Sequence, residues 1–163
     1  MKPLSLTLKN FGPYINETID FTKFEDSSLF LISGKTGAGK TTIFDGMSYA
    51  LFGESSGKLR LGKEMRSTFA DPSEATEVTL LFKHNEFLYE LNRLPEQELF
   101  KKRGTGVRKQ SAKISLIVKD AQGKELRAYS KRREVDELIQ ELLHLNANQF
   151  AQIVLLPQGE FRT

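Results

Sequence analysis

Three glycines, Gly34, Gly37 and Gly39, fall within six residues, between the apolar run Leu29-Phe30-Leu31-Ile32 and a stretch with helical spacing. Glycine is unfavourable in the interior of both strand and helix. Placing three at one strand-to-helix junction means that backbone must bend there and be approached without Cβ atoms in the way. The run "SLFLIS", residues 28–33, has the continuous apolar character of a strand buried on both faces. After the glycines, Ile43, Met47, Ala50 and Leu51 recur at helical spacing, and Gly53 suits the helix end. A buried strand feeding a helix through a glycine turn implies an α/β fold.

The junction is more specific than a turn. Residues Gly34, Lys35, Thr36, Gly37, Ala38, Gly39, Lys40 and Thr41 spell G-x-x-x-x-G-K-[ST], the P-loop. A triphosphate tail needs backbone N–H groups close around it, and side chains would block that approach. Glycine removes the Cβ and reaches φ > 0, so successive N–H groups can converge on an anion. The helix that follows adds its unpaired N–H groups and its positive dipole end. Lys40 supplies charge for the β- and γ-phosphates, Thr41 a hydroxyl for Mg²⁺, and Thr42 a further donor to the α-phosphate. The residues read as a site for ATP and Mg²⁺.

The rest of the chain is mostly β. Leu4, Leu6 and Leu8 alternate with polar residues as a half-buried strand, "NFGPY" turns the chain, and "ETIDF" returns it. Residues 53–75 are polar and irregular, a long loop. "EVTLLFK", "EFLYELNR" and "KISLIVKD" are strands, the first two joined at "KHNE", and "DAQGKE" turns the third into a strand around "LRAYS". From Ser130, a potential cap, Val135, Leu138, Ile139, Leu142 and Leu143 share one helical face before "NANQF" interrupts. The length of 163 residues suits one domain with a substantial core. No apolar run approaches a membrane span, the N-terminus lacks a signal-peptide centre, and cysteine is absent. A cytoplasmic protein with no membrane partner is the expectation.

A self-contained P-loop enzyme also needs an acid after a second buried strand, to hold the metal. "ISLIVKD" comes nearest, but Lys119 interrupts it, and Asp120 reads better as the start of a hairpin turn. No "LSGG"-type stretch is present. A small-molecule P-loop kinase remains an alternative that lacks its acid.

Three further elements explain the gap. They are Lys9-Asn10-Phe11 after the first strand, Asp45 in the helix after the P-loop, and Leu155-Leu156 with Gln158-Gly159 and Phe161 near the chain end. Together with "TGAGKTT", they resemble the N-terminal end of the SbcC family, the ATPase subunits of a bacterial DNA-end nuclease and members of the structural-maintenance type of ABC ATPase. The resemblance implies a P-loop NTPase fold of ABC-head type, with residues 1–163 as its N-terminal lobe: a mixed sheet, an antiparallel β portion and the P-loop helix. It implies that the coiled coil and the C-terminal half, which holds the signature motif and catalytic acids, lie outside this sequence. Lys40 and Gln158 would then be catalytic, with Thr41 and Gln158 on the metal. The family's partners would follow: an SbcD-type nuclease subunit, double-stranded DNA, the C-terminal half of the head, and a second head in an ATP-dependent homodimer. ATP would close that dimer and hydrolysis reopen it, in processing DNA ends and hairpins during repair and recombination; this chain alone would be inactive. Other structural-maintenance or recombination ATPases share part of the pattern. Gly12 stands where many relatives carry a basic residue and has no side chain to make that contact with nucleotide, and Ser67 and Thr68 are the candidates near the ribose and base.

The charge is uneven. Residues 101–133 hold twelve Lys or Arg against two acids, Asp120 and Glu125, whereas the whole chain holds 24 against 21. Lys101, Lys102, Arg103, Arg108 and Lys109 cluster around "RGTG", a flexible tip between two strands. Such a segment suits a phosphate backbone, and double-stranded DNA is the expected contact. Only Tyr129 is aromatic within it, which argues against base stacking. Lys131, Arg132 and Arg133 sit at a helix start, where cations oppose the dipole and so suggest a partner.

Overall fold

The computed structural model describes residues 1–24, 37–53 and 71–154. Its centre is a six-stranded sheet in the order β2-β1-β3-β4-β7-β8. The strands are β1 (Lys2–Phe11), β2 (Tyr14–Asp20), β3 (Glu77–His84), β4 (Phe87–Leu94), β7 (Lys113–Lys119) and β8 (Glu125–Tyr129). A separate hairpin, β5 (Gln97–Phe100) with β6 (Val107–Gln110), is inserted between β4 and β7. The helices are α1 (Gly37–Phe52), α2 (Arg132–Leu143) and α3 (Ala147–Val154).

Register explains the layering. Leu6, Leu80, Leu91 and Leu116 stand opposite one another across β1, β3, β4 and β7, all fully buried. The next row, Thr18, Thr7, Thr79, Asn92 and Ser115, lies on the other face. There Thr7 and Thr18 share a hydroxyl hydrogen bond of 3.1 Å, and Asn92 Nδ2 donates to Thr79 Oγ1 at 2.8 Å. Period-two alternation thus separates an apolar from a polar face, and α1 covers the apolar one.

Helix α1 is buried on every side from Thr42 to Leu51. Ile43, Phe44, Met47 and Leu51 are at most 1% exposed, so this helix is part of the core rather than a cover for it. It approaches β1 so closely that a Cβ on Gly46 would stand 2.6 Å from Leu8 Cδ2. On its other side α2 contributes Val135 and Ile139, and α3 contributes Phe150, whose ring centroid lies 5.7 Å from that of Phe52. No helix among the described residues is long and apolar enough to cross a membrane.

Some expectations need correction. Every strand pairing among the described residues is antiparallel. The strand at residues 28–33 that would make the sheet mixed lies outside the described residues, as do residues 54–70 of the long loop. Ser130 does not cap α2: Lys131 holds the N-cap position, without a side-chain cap bond. "NANQF" is less an interruption than a start. Gln149 N–H donates to Asn146 Oδ1 and Asn146 N–H to Gln149 Oε1, both at 2.9 Å, a reciprocal cap that opens α3.

Candidate nucleotide site

The first helical residue of α1, Gly37, falls inside the Gly34–Thr41 motif. The first four N–H groups of an α-helix lack intrahelical acceptors, and here they belong to the glycine-rich loop itself. Gly37, Ala38, Gly39, Lys40 and Thr41 form the first turns of a helix of 16 residues. Gly34, Lys35 and Thr36 lie outside the described residues, as do Gln158, Ser67 and Thr68. Thr42 and Asp45 are buried in α1.

The start of α1 is held from the turn after β1. Asn10 adopts φ 52°, in the left-handed region that asparagine tolerates better than most residues. Its Nδ2 donates to the Ala75 carbonyl at 2.9 Å, and its own carbonyl accepts from Thr76 Oγ1 at 2.9 Å. Phe11 then turns into the core, its ring centroid 6.3 Å from that of Tyr49 on α1. Gly12, at φ 56°, brings bare backbone against Thr42. The Lys9-Asn10-Phe11 motif therefore has a positional role: it seats the β1–β2 turn on the helix that emerges from the glycine loop.

Gln97, buried at the root of the β5–β6 hairpin, extends the same network. Its Oε1 accepts from Thr76 N–H at 2.8 Å, and its Nε2 donates to the carbonyls of Thr76 and Pro95 at 3.2 Å. The hairpin carries Lys101, Lys102, Arg103, Arg108 and Lys109 around a tip in which Gly104 and Gly106 have open space about them. Lys102 pairs with Glu74 at 3.2 Å and Lys109 with Glu96 at 3.0 Å, while Arg108 Nη1 donates to Gln110 at 3.0 Å. Lys101 and Arg103 have no acidic partner among the described residues. Phe100, one residue before the basic stretch, is 57% exposed opposite Val107. It adds an exposed aromatic ring at the edge of a segment whose own residues hold only Tyr129.

Asp120 is committed to the β7–β8 turn. Its Oδ1 accepts from Gln122 N–H and Lys124 N–H, both at 2.9 Å. The hairpin reading of "DAQGKE" stands, with the Asp120 carboxylate closing that turn. Arg132 and Arg133 find partners one turn along their own helix, Asp136 at 3.5 Å and Glu137 at 3.2 Å.

One residue belongs to none of the motifs. Arg93 is 4% exposed, and its Nε donates at 3.1 Å to the Ala50 carbonyl near the end of α1. Its guanidinium lies 5.9 Å from the Tyr49 ring centroid and 3.6 Å from Asp136. Burial pulls its pKa down and the Asp136 charge opposes that pull. The signal is present in β4: the alternation that buries Tyr89 and Leu91 also turns Arg93 inward.

The AAA domain family matches residues 5–163. The chain belongs to that family. An AAA domain implies nucleotide binding, in keeping with a helix that begins inside a glycine-rich loop. The chain is 48% identical over 165 residues to the C subunit of nuclease SbcCD from Lactococcus lactis subsp. lactis (strain IL1403), a match covering 99% of this chain and 16% of that protein. It is 45% identical over 163 residues to the corresponding SbcCD protein of Vibrio cholerae serotype O1, and 46% identical over 162 residues to that of Staphylococcus aureus (strain JH9). The resemblance to SbcC read from the motifs is thus shown. The chain spans 16% of the length of these curated relatives.

Proposed function

We propose that this chain is the ATP-binding N-terminal half of an ABC-type ATPase head of the SbcC kind. One observation carries the reading: a core helix, buried from Thr42 to Leu51, begins at Gly37 within the P-loop motif. A helix so fixed offers its free N–H groups and dipole to phosphate without having to reorganise. Residues 34–42 would hold the phosphates, with Lys40 as the charge on the β- and γ-phosphates and Thr42 as a donor to the α-phosphate. Thr41 and Gln158 would hold Mg²⁺, Gln158 also positioning water. Bound Mg²⁺ supplies neutralisation of charge on the transferring phosphoryl group.

The acids for hydrolysis would come from a C-terminal half and the opposite face of the composite site from a second head. ATP would favour the closed head dimer because only that state contacts it from both sides. An SbcD-type nuclease subunit would cut, and double-stranded DNA would lie against the basic hairpin. Nothing favours the small-molecule kinase reading, which needs the acid that Asp120 does not supply.

The test is Mg-ATP binding and turnover by the 163-residue chain, alone and with a C-terminal half, with Lys40→Ala as control. The expected result is binding alone, turnover only on reconstitution, and loss of both in the variant. Steady turnover by the chain alone, abolished by Lys40→Ala, would overturn the composite site.

A further inference from the structure

The β5–β6 hairpin forms a sheet of its own, and its two faces differ. Gln97 and Leu99 turn to one side and are buried, Leu99 completely. With the Phe100 N–H, which donates to the Pro72 carbonyl at 2.9 Å, they fix the root of the arm on the body of the protein. Alternation turns Glu98 and Phe100 to the other side, into solvent. A solvent-facing row is ordinarily polar. Glu98, opposite Lys109, follows that pattern. Phe100 and Val107, opposite one another nearer the tip, break it, at 57% and 47% exposed.

A cross-strand apolar pair steadies a hairpin whether or not anything binds to it. That benefit needs no aromatic ring at the tip, and the surroundings give the ring a use. Lys101 follows it directly and Arg103 comes two residues later, neither with an acidic partner among the described residues. The acids nearby are matched: Glu96 lies 3.0 Å from Lys109 and Glu74 3.2 Å from Lys102. The tip is also open. Lys101 N–H donates to the Gly106 carbonyl at 3.0 Å to close the loop, and no atom lies within 4 Å of the Cβ positions of Gly104 and Gly106.

An exposed ring bordered by unmatched cations suits a ligand that is flat and apolar in one part and anionic in the next. A nucleic-acid strand has that alternation, since every base offers a π-face and every linkage a phosphate. In a closed duplex those faces are stacked on each other, and reaching one means unstacking it. An unpaired base presents its face without that cost. We propose that Phe100, backed by Val107, is a stacking platform for an unpaired DNA base, with Lys101 and Arg103 on the flanking phosphates. The inference rests on the DNA contact proposed for this hairpin and adds its preference, for single-stranded or locally opened DNA over closed duplex. Phe100 sets the preference; the cations supply affinity common to both forms.

The experiment titrates the 163-residue chain into a labelled single strand and into a labelled, fully paired duplex of the same length, read by fluorescence anisotropy. A single strand carrying 2-aminopurine reports stacking directly, through the change in its emission. Phe100→Leu, which keeps the apolar pair but not the ring, should weaken single-strand binding at least about five-fold, leave the duplex within about two-fold and abolish the 2-aminopurine response. Phe100→Tyr, which keeps a ring, should stay close to the native chain in all three. Replacing Lys101 and Arg103 by Gln should weaken both DNAs. Unchanged single-strand binding in Phe100→Leu, or equal loss for both DNAs, would overturn the platform and leave the backbone contact standing. Binding of neither DNA by the native chain would overturn both readings.

Discussion

Thr42 Cγ2 lies 2.7 Å from where a Cβ on Gly12 would stand. The sequence departure that made Gly12 a doubtful nucleotide contact therefore has a steric reason here: backbone alone fits between the β1–β2 turn and the phosphate-loop helix. Gly12 also sits at φ 56°, a conformation that costs other L-residues roughly 1–2 kcal/mol. Gly12→Ala should lower Tm by about 3–8 °C and weaken Mg-ATP binding, because Thr42 must shift. Gly123→Ala is the control. It shares a positive φ, at 87°, but nothing lies within 4 Å of its Cβ position. It should cost less and leave nucleotide affinity unchanged. Equal losses in both variants would mean that backbone strain, and not the Thr42 contact, is what matters.

Tyr49 makes stability sensitive to alkali. Burial pushes its phenol well above the ordinary value, only partly opposed by the charges of Arg93 and Arg132. A raised phenol contributes stability that is complete below the unfolded-state value, near 10, and lost as pH rises through the folded-state value. The Tm of the native chain should therefore fall as pH goes from about 9 to about 11, and Tyr49→Phe should fall less steeply over that window. Tyr14 and Tyr89, also raised by burial, leave a residual slope. Identical pH profiles for the two proteins would mean that Tyr49 ionises alike in the folded and the unfolded chain, so that its burial does not raise it.

Asp120 organises the β7–β8 turn through two backbone N–H groups. Asp120→Ala removes that acceptor from an exposed turn and should cost about 1 kcal/mol by urea unfolding. Turnover by the reconstituted head should be unchanged per folded molecule. A collapse of turnover with little loss of stability would make Asp120 a catalytic candidate again.

Local signals carry the sequence reading where one physical cause dominates. The alternation of Leu6 and Leu8, the helical face of Val135 and Ile139, and the glycine-lysine junction each reflect a single strong preference, and the corresponding elements appear. What escapes is set by distant partners. Asn10 and Gln97 meet through Thr76, separated from them by 66 and 21 residues. No window along the chain contains those bonds. Arg93 is legible only as an inward position, since its partner, the Ala50 carbonyl, is 43 residues away. The Asn146–Gln149 cap is readable, as an acceptor followed three residues later by a glutamine. It is easily passed over because "NANQF" looks like a break.

The basic hairpin offers the last prediction. Lys102 and Lys109 already face Glu74 and Glu96, whereas Lys101 and Arg103 have no acid among the described residues and Arg108 meets only the neutral Gln110. Cations spent on local acids release fewer counterions when they meet a phosphate backbone. If duplex DNA lies on this arm, replacing Lys101, Arg103 and Arg108 by Gln should flatten the salt dependence of binding by about 2–3 units of log K per log salt, roughly 0.9 for each phosphate no longer neutralised. Replacing Lys102 and Lys109 by Gln should flatten it by less than about one. Fluorescence anisotropy with a labelled duplex across a salt series reads both. A flattening of about 1.8 in the second set, in proportion to its two lysines, would mean the local acids release their lysines on binding. An unchanged slope in both would leave the arm a solvated hairpin, with DNA held elsewhere on the head.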